Sequence, residues 1–195
     1  MLEKVGFTQM KDGTREDYAL LERYEREYIK RLPDKVLDSV RALGESLEGY
    51  RISRLAHSLQ TATRALQGGA DDDLVVAALV HDVGDILAPY NHADVAAAIL
   101  RPYVRAEVTW IVQQHGLFQS YYYAHHYGGN RNGRDRFRGH PWYEACASFC
   151  ARWDQSSFDP DFPTLPLDAF EPAVRRVFTR PPHDPRFLQE PPASA

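Results

Sequence analysis

The sequence predicts an all-α fold. Apolar residues recur at steps of three and four along most of its 195 residues, which is how a helix buries one face. Strand-like alternation is almost absent, and no internal repeat is visible. The breaks between periodic stretches fall at Gly, Pro and Asn, residues that punctuate helices.

Residues 1–15 read as a lead-in with a turn at Asp12-Gly13. Thr14 is placed to cap a helix over 16–31, with Asp17 three positions on, as in a capping box. Its Tyr18, Leu21, Tyr24, Tyr28 and Leu32 share one face. Those tyrosines are expected to cover the core, or else to form a dimer contact. Pro33-Asp34 opens a second helix over 34–48, with Val36, Leu37, Val40, Leu43 and Leu47 inward. A third runs from Ile52 to Leu66, its apolar face marked by Leu55, Leu59, Ala62 and Leu66 and its end by Gly68-Gly69. Asp71-Asp72-Asp73 opens a fourth over 71–82, where carboxylates suit the positive end of a helix dipole. After Pro89, Asn91 is placed to cap a fifth helix, His92 to Leu100. A sixth spans roughly 103–115 and is expected to end at His115-Gly116.

Residues 117–140 read as a long, aromatic and arginine-rich loop. Loops of that length are usually functional or disordered, and the aromatic content favours a lid over a substrate site. Arg131, Arg134, Arg136 and Arg138 could grip a carboxylate or phosphonate, or simply be solvated. Two of Tyr121, Tyr122 and Tyr123 are expected to pack the loop down. His125, His126 and His140 are expected at the surface or behind the site. A seventh helix over 141–154 puts Cys146, Cys150 and Asp154 on one face, the cysteines as buried apolar groups. A proline-rich segment, a short helix at 168–178 and an extended tail over 181–195 close the chain.

Composition excludes several classes. With 44% hydrophobic and 26% charged residues the chain is an ordinary globular one. A net charge of -4 supplies no field to recruit nucleic acid or an anionic membrane. Met1 to Lys11 lacks the apolar segment of a signal peptide. The run Leu74 to Val80 is too short to span a bilayer. Two cysteines make no disulfide framework, so a cytoplasmic location is expected.

The chemistry is expected where that apolar run ends, at His81-Asp82-Val83-Gly84. Burying the run draws an imidazole and a carboxylate toward the core, and an unpartnered neutral polar group there costs roughly 2–7 kcal/mol. A metal ion would satisfy both, since imidazole and carboxylate are common ligands of zinc, iron and manganese. His57, His92, His115 and Asp154 lie at other helix faces and ends. Each alone is a weak candidate.

The order His57, His81-Asp82, His92, His115, Asp154 resembles the HD-domain superfamily, whose eponymous pair matches His81-Asp82. Leu55-Ala56-His57-Ser58-Leu59-Gln60 is similar to its first ligand helix, and Trp153-Asp154 to its last ligand. The resemblance implies a single HD domain over 1–180, with a metal-binding core at 50–155 and an N-terminal helix pair at 16–48. Four ligands, His57, His81, Asp82 and Asp154, would hold one metal. His92 and His115 imply a second, with Asp82 as the bridge and the catalytic carboxylate.

In six-ligand order and compact size the chain resembles the branch containing myo-inositol oxygenase and the HD-domain oxygenases that cleave hydroxylated organophosphonates. That branch implies two iron ions, one chelating the substrate hydroxyl and one binding O2. Its substrates would be a small hydroxylated organophosphonate, polyol or amine. The alternatives are manganese or zinc in a phosphohydrolase acting on a nucleotide or small phosphate ester, and a non-catalytic metal or ligand sensor. A homo-oligomer is left open, and no nucleic-acid or membrane partner is expected. Asp85 stands where relatives place a basic substrate contact, and it could face substrate or pair with a nearby arginine. Leu47 and Tyr50 stand where aminophosphonate-binding relatives carry tyrosine and glutamate, and Gln119 replaces a lysine. Asp85, Gln119, Tyr50, Arg131, Arg134 and Arg138 are the expected substrate contacts.

Overall fold

The computed structural model describes residues 3–45 and 48–189. Leu47 and residues 190–195, on which two expectations fall, lie outside them. The regular structure of the described residues is all helical, with no strand. The principal helices are α1 (Arg15–Ile29), α2 (Leu32–Ala42), α3 (Arg54–Gln67), α4 (Asp72–Val80), α5 (His92–Leu100), α6 (Ala106–Tyr123), α7 (Tyr143–Phe149), α8 (Glu171–Phe178) and the single turn α9 (Pro185–Leu188).

The centre of the fold is α4. It is apolar on every side, and Val75 through Val80 are all buried, as expected of a helix enclosed by others. α3, α6, α8 and α2 pack around it. Its N-terminus is fixed by charge: Asp71 caps Leu74 N at 3.0 Å. Arg105 pairs with Asp71 at 2.8 Å, Arg180 with Asp73 at 2.7 Å and Arg176 with Asp72 at 2.6 Å. The three aspartates thus tie the start of α4 to the start of α6 and to α8 and the segment after it. With that end held, the other end delivers His81 and Asp82 to the interior.

Five expectations are corrected. α1 forms with its Thr14–Asp17 capping box but buries no residue. Tyr18 is 39% and Tyr28 60% exposed. Tyr18 lies against Phe7, and Tyr28 is covered by Lys35, so these rings do not cover the core. α3 buries His57, Ser58, Thr61, Ala62 and Ala65, while Leu66 is 45% exposed. The expected Ala62 is buried and Leu55 and Leu59 pack partly buried against the core, but His57, Ser58 and Thr61 share the inward side, because the interior they face is a site. α6 does not end at Gly116 but runs to Tyr123, and 3-10 turns occupy Ala124–Tyr127 and Gly133–Phe137. The expected lid is thus largely helical. α7 gives way to a π-helical turn, Cys150–Asp154. Part of the expected extended tail is anchored, with His183 N donating to Pro102 O at 2.8 Å and α9 following. Both cysteines are free and buried, as expected.

Candidate metal centre

Helices α3, α4, α5 and α6 and the π turn after α7 converge at Asp82. His57 comes from the buried face of α3, His81 and Asp82 from the end of α4, and His92 from the first turn of α5. His115 comes from the middle of α6 and Asp154 from the π turn. All but His92 are at most 3% exposed. The two oxygens of Asp82 face different ways. Oδ2 lies 3.5 Å from both His57 Nε2 and His81 Nε2. Oδ1 lies 3.5 Å from His92 Nε2 and 3.4 Å from His115 Nε2. Asp154 Oδ1 completes the first side, 3.3 Å from His57 Nε2 and 3.8 Å from His81 Nε2.

The far nitrogen of each ring is engaged. His57 Nδ1 lies 2.8 Å from Ser157 O, His81 Nδ1 2.8 Å from Ala78 O and His115 Nδ1 2.6 Å from Val112 O. His92 Nδ1 lies 3.1 Å from Asp85 Oδ1 and 3.3 Å from Pro89 O. In a neutral ring such contacts favour the proton on Nδ1 and leave the Nε2 lone pair free, the tautomer a metal ligand needs. His57 and His81 Nε2 then stand 3.1 Å apart, and His92 and His115 Nε2 3.3 Å apart. Lone pairs brought that close repel unless a cation or proton lies between them. Asp154 Oδ2 is buried with no hydrogen-bond partner. His57, His81 and Asp154, and His81, Asp82 and His115, each gather ligand atoms within 4.8 Å and could hold a metal ion. The two groups share His81, and His92 belongs to neither; the donor set of imidazoles and carboxylates fits a divalent cation.

Burial and charge oppose each other in this site. Burial pulls His81 down to about 4. Burial also lowers His115, but the hydrogen bond and charge of Asp82, with the charge of Asp154, outweigh it and lift His115 to about 9. Burial works to raise Asp82, but the surrounding histidines hold it well below the carboxylate range. A field that binds a proton this firmly on His115 also favours a metal cation.

Above Asp82 opens a cavity of about 400 Å3, the lower part of the range for small-ligand pockets. Tyr50, Tyr122, Tyr123, Tyr127 and Phe158 wall it, and Gln119 and Gly116 reach its floor. The 117–140 segment forms a wall here and does not plug the site. Tyr50 and Gln119 line the cavity, and Gln119 also donates to Asp154 Oδ1 at 3.1 Å. Two of the three consecutive tyrosines face the cavity, not one, because α6 continues past Gly116. Tyr121 packs instead under Arg131 and Arg134.

The arginine expectation is corrected. None of Arg131, Arg134 and Arg138 lines the cavity. The first two are spent on Tyr121, and Arg138 pairs with Asp135 at 3.0 Å on the surface. Asp85 does not line it either. It pairs with Arg54 at 2.9 Å, so of its two expected roles the arginine partner is the one observed. His125 and His126 are exposed, and His140 stacks on Trp110 at 4.1 Å. Burial raises the Cys150 thiol well above its usual range, so no thiolate enters the site.

Sequence reasoning missed Arg54 and Phe158. Arg54 Nη1 donates to Asp82 Oδ2 at 3.0 Å. Its signal was available, since it lies one helical turn before His57 and so on the same face. Phe158 stacks on His57 with centroids 4.4 Å apart. It follows the π turn, and no periodicity points to it.

Residues 54–148 match the HD domain family. The match supports placement in the HD-domain superfamily, most of whose members are metal-dependent enzymes. No curated protein matches the chain. Among the described residues no helix is long and apolar enough to cross a membrane.

Proposed function

We propose that the protein is a dinuclear metalloenzyme, a diiron oxygenase acting on a small hydroxylated molecule. The observation that carries this reading is the two-sided environment of Asp82, whose oxygens each face their own pair of imidazoles. A shared carboxylate offsets the repulsion between two neighbouring cations. His57, His81, Asp154 and Asp82 would hold one cation, and Asp82, His92 and His115 the other. All donors are nitrogen and oxygen, which suit iron and manganese at least as well as zinc. Two iron ions there would supply oxygen activation and Lewis-acid binding of a substrate hydroxyl.

The chain's own groups do the rest. The four rings keep their protons on Nδ1, facing away from the reacting centre. The tyrosine and phenylalanine wall gives the cavity aromatic faces, and its volume limits the substrate to a small molecule. Gln119 holds Asp154 and leaves its own Oε1, which has no partner, as an acceptor for a substrate hydroxyl or N–H. Arg54 is the cation lining the cavity, and Asp82 and Asp85 already engage it. A multiply charged nucleotide would find no free cationic side chain among the described lining residues, which weighs against the hydrolase. The test is oxygen consumption by iron-loaded protein with hydroxyphosphonates, polyols and hydroxylated quaternary amines, run beside phosphate release from nucleotides. Substrate-dependent oxygen uptake is expected. Phosphate release with zinc or manganese and no response to oxygen would replace this reading with the hydrolase.

A further inference from the structure

Asp82, Arg54, Asp85 and His92 form a closed ring. Arg54 Nη1 donates to Asp82 Oδ2 at 3.0 Å and Nη2 pairs with Asp85 Oδ2 at 2.9 Å. Asp85 Oδ1 lies 3.1 Å from His92 Nδ1, and His92 Nε2 returns to Asp82 Oδ1 at 3.5 Å. The two sides of Asp82 are unequal within this ring. Arg54 sits on the oxygen that faces His57 and His81, and Asp85 sits behind His92.

His92 also differs from the other three rings. His57, His81 and His115 are buried and close to a backbone carbonyl at 2.6–2.8 Å, a partner fixed by its own helix or segment. The His92 side chain is 22% exposed, and its Nδ1 lies between the Pro89 carbonyl, its hydrogen-bond partner, and the Asp85 carboxylate, 3.1 Å away. Its carbonyl contact, to Pro89, is longer at 3.3 Å. It opens α5 behind Asn91, whose side chain makes no capping bond. With its carbonyl hydrogen bond longer than those of the other rings, His92 leans also on the Asp85 carboxylate, which is in turn held by Arg54.

We infer that Asp85 is a positioning residue selective for one half of the centre: through His92 it sets how tightly the cation between His92 and His115 is held, while the cation between His57 and His81 does not depend on it. This rests on the two-cation reading. A carboxylate behind a ligand histidine fixes its tautomer and raises its basicity, and loss of such a partner typically weakens metal binding about 10–100-fold.

The experiment is anaerobic equilibrium dialysis of the full chain against Mn2+, with bound metal counted by elemental analysis and folding followed by circular dichroism. The wild-type chain should bind two ions. Asp85→Asn should keep one at unchanged affinity and weaken the other at least tenfold. His92→Ala should give the same single tight ion, and Asp85→Asn added to His92→Ala should change nothing more. Asp85→Glu keeps the charge but displaces the oxygen, so it should also weaken one ion and supplies the readout if Asp85→Asn does not fold. Two ions of unchanged affinity in the folded Asp85 variants, or equal weakening of both, would overturn the inference. A wild-type chain that binds one ion or none would instead overturn the two-cation reading beneath it.

Discussion

At the scale of single residues, Asp82 and the glycine after it explain the opening motif. Asp82 turns one oxygen to each pair of imidazoles, so Asp82→Asn should abolish both metals. His92→Ala and His115→Ala should each spare the other side, a difference visible in metal content per chain. Gly84 has a steric role. A Cβ there would lie 2.6 Å from His92 Cα, closer than real contacts allow, and the obstacle is backbone. Gly84→Ala should push the start of α5 away from Asp82, lowering both thermal stability and the content of the second metal. The ligand types were legible in the sequence because histidines and carboxylates at helix ends are visible without coordinates. Arg54 was harder to see, because arginine beside a ligand has many surface uses. Arg131, Arg134 and Arg138 misled because a positive charge says nothing of where its side chain lies, and here tyrosine faces and an aspartate take them.

At the scale of elements, helices were legible where they had caps and less so where the site bends the rules. The three aspartates stand at the start of α4 as expected, with Asp71 as its cap, and α5 matches its predicted limits. Gly116 looked like a helix end, since glycine costs about 1 kcal/mol in a helix interior. It sits within α6 against the cavity, where a Cβ would come within 3.9 Å of His92 Nε2. The π turn at Cys150–Asp154, closed by Gln155 N to Cys150 O at 3.0 Å, is a feature often found at functional sites, and no simple period predicts it. Two tests belong here. Leu79 is fully buried in α4, so Leu79→Ala should cost about 2–5 kcal/mol, read from denaturant unfolding. In α1, hydrogen bonds from the Thr14 and Gly6 backbones and the Thr14 hydroxyl hold Asp17 below its usual value. A depressed carboxyl stabilises the fold above its unfolded pKa and loses that contribution as pH falls through the folded value. Acidification below about pH 4 should therefore raise amide exchange at the start of α1 first, and Asp17→Asn should remove that pH dependence.

For the whole molecule, the layout follows from one enclosed apolar helix whose ends are treated differently. Three aspartates fix one end of α4 through arginines, and the other end carries the site. The all-α class was legible because period and punctuation agree along the chain. The polar interior face of α3 was not, because a face lined with His57, Ser58 and Thr61 reads as solvent-exposed unless something polar lies opposite. The central claim is a pair of iron ions sharing Asp82. The most direct measurement is electron paramagnetic resonance of the iron-loaded protein reduced anaerobically by one electron per pair. A spin-coupled mixed-valent signal, lost in Asp82→Asn, is the predicted result. A signal from isolated ferric ions alone, with iron content of one per chain, would contradict it.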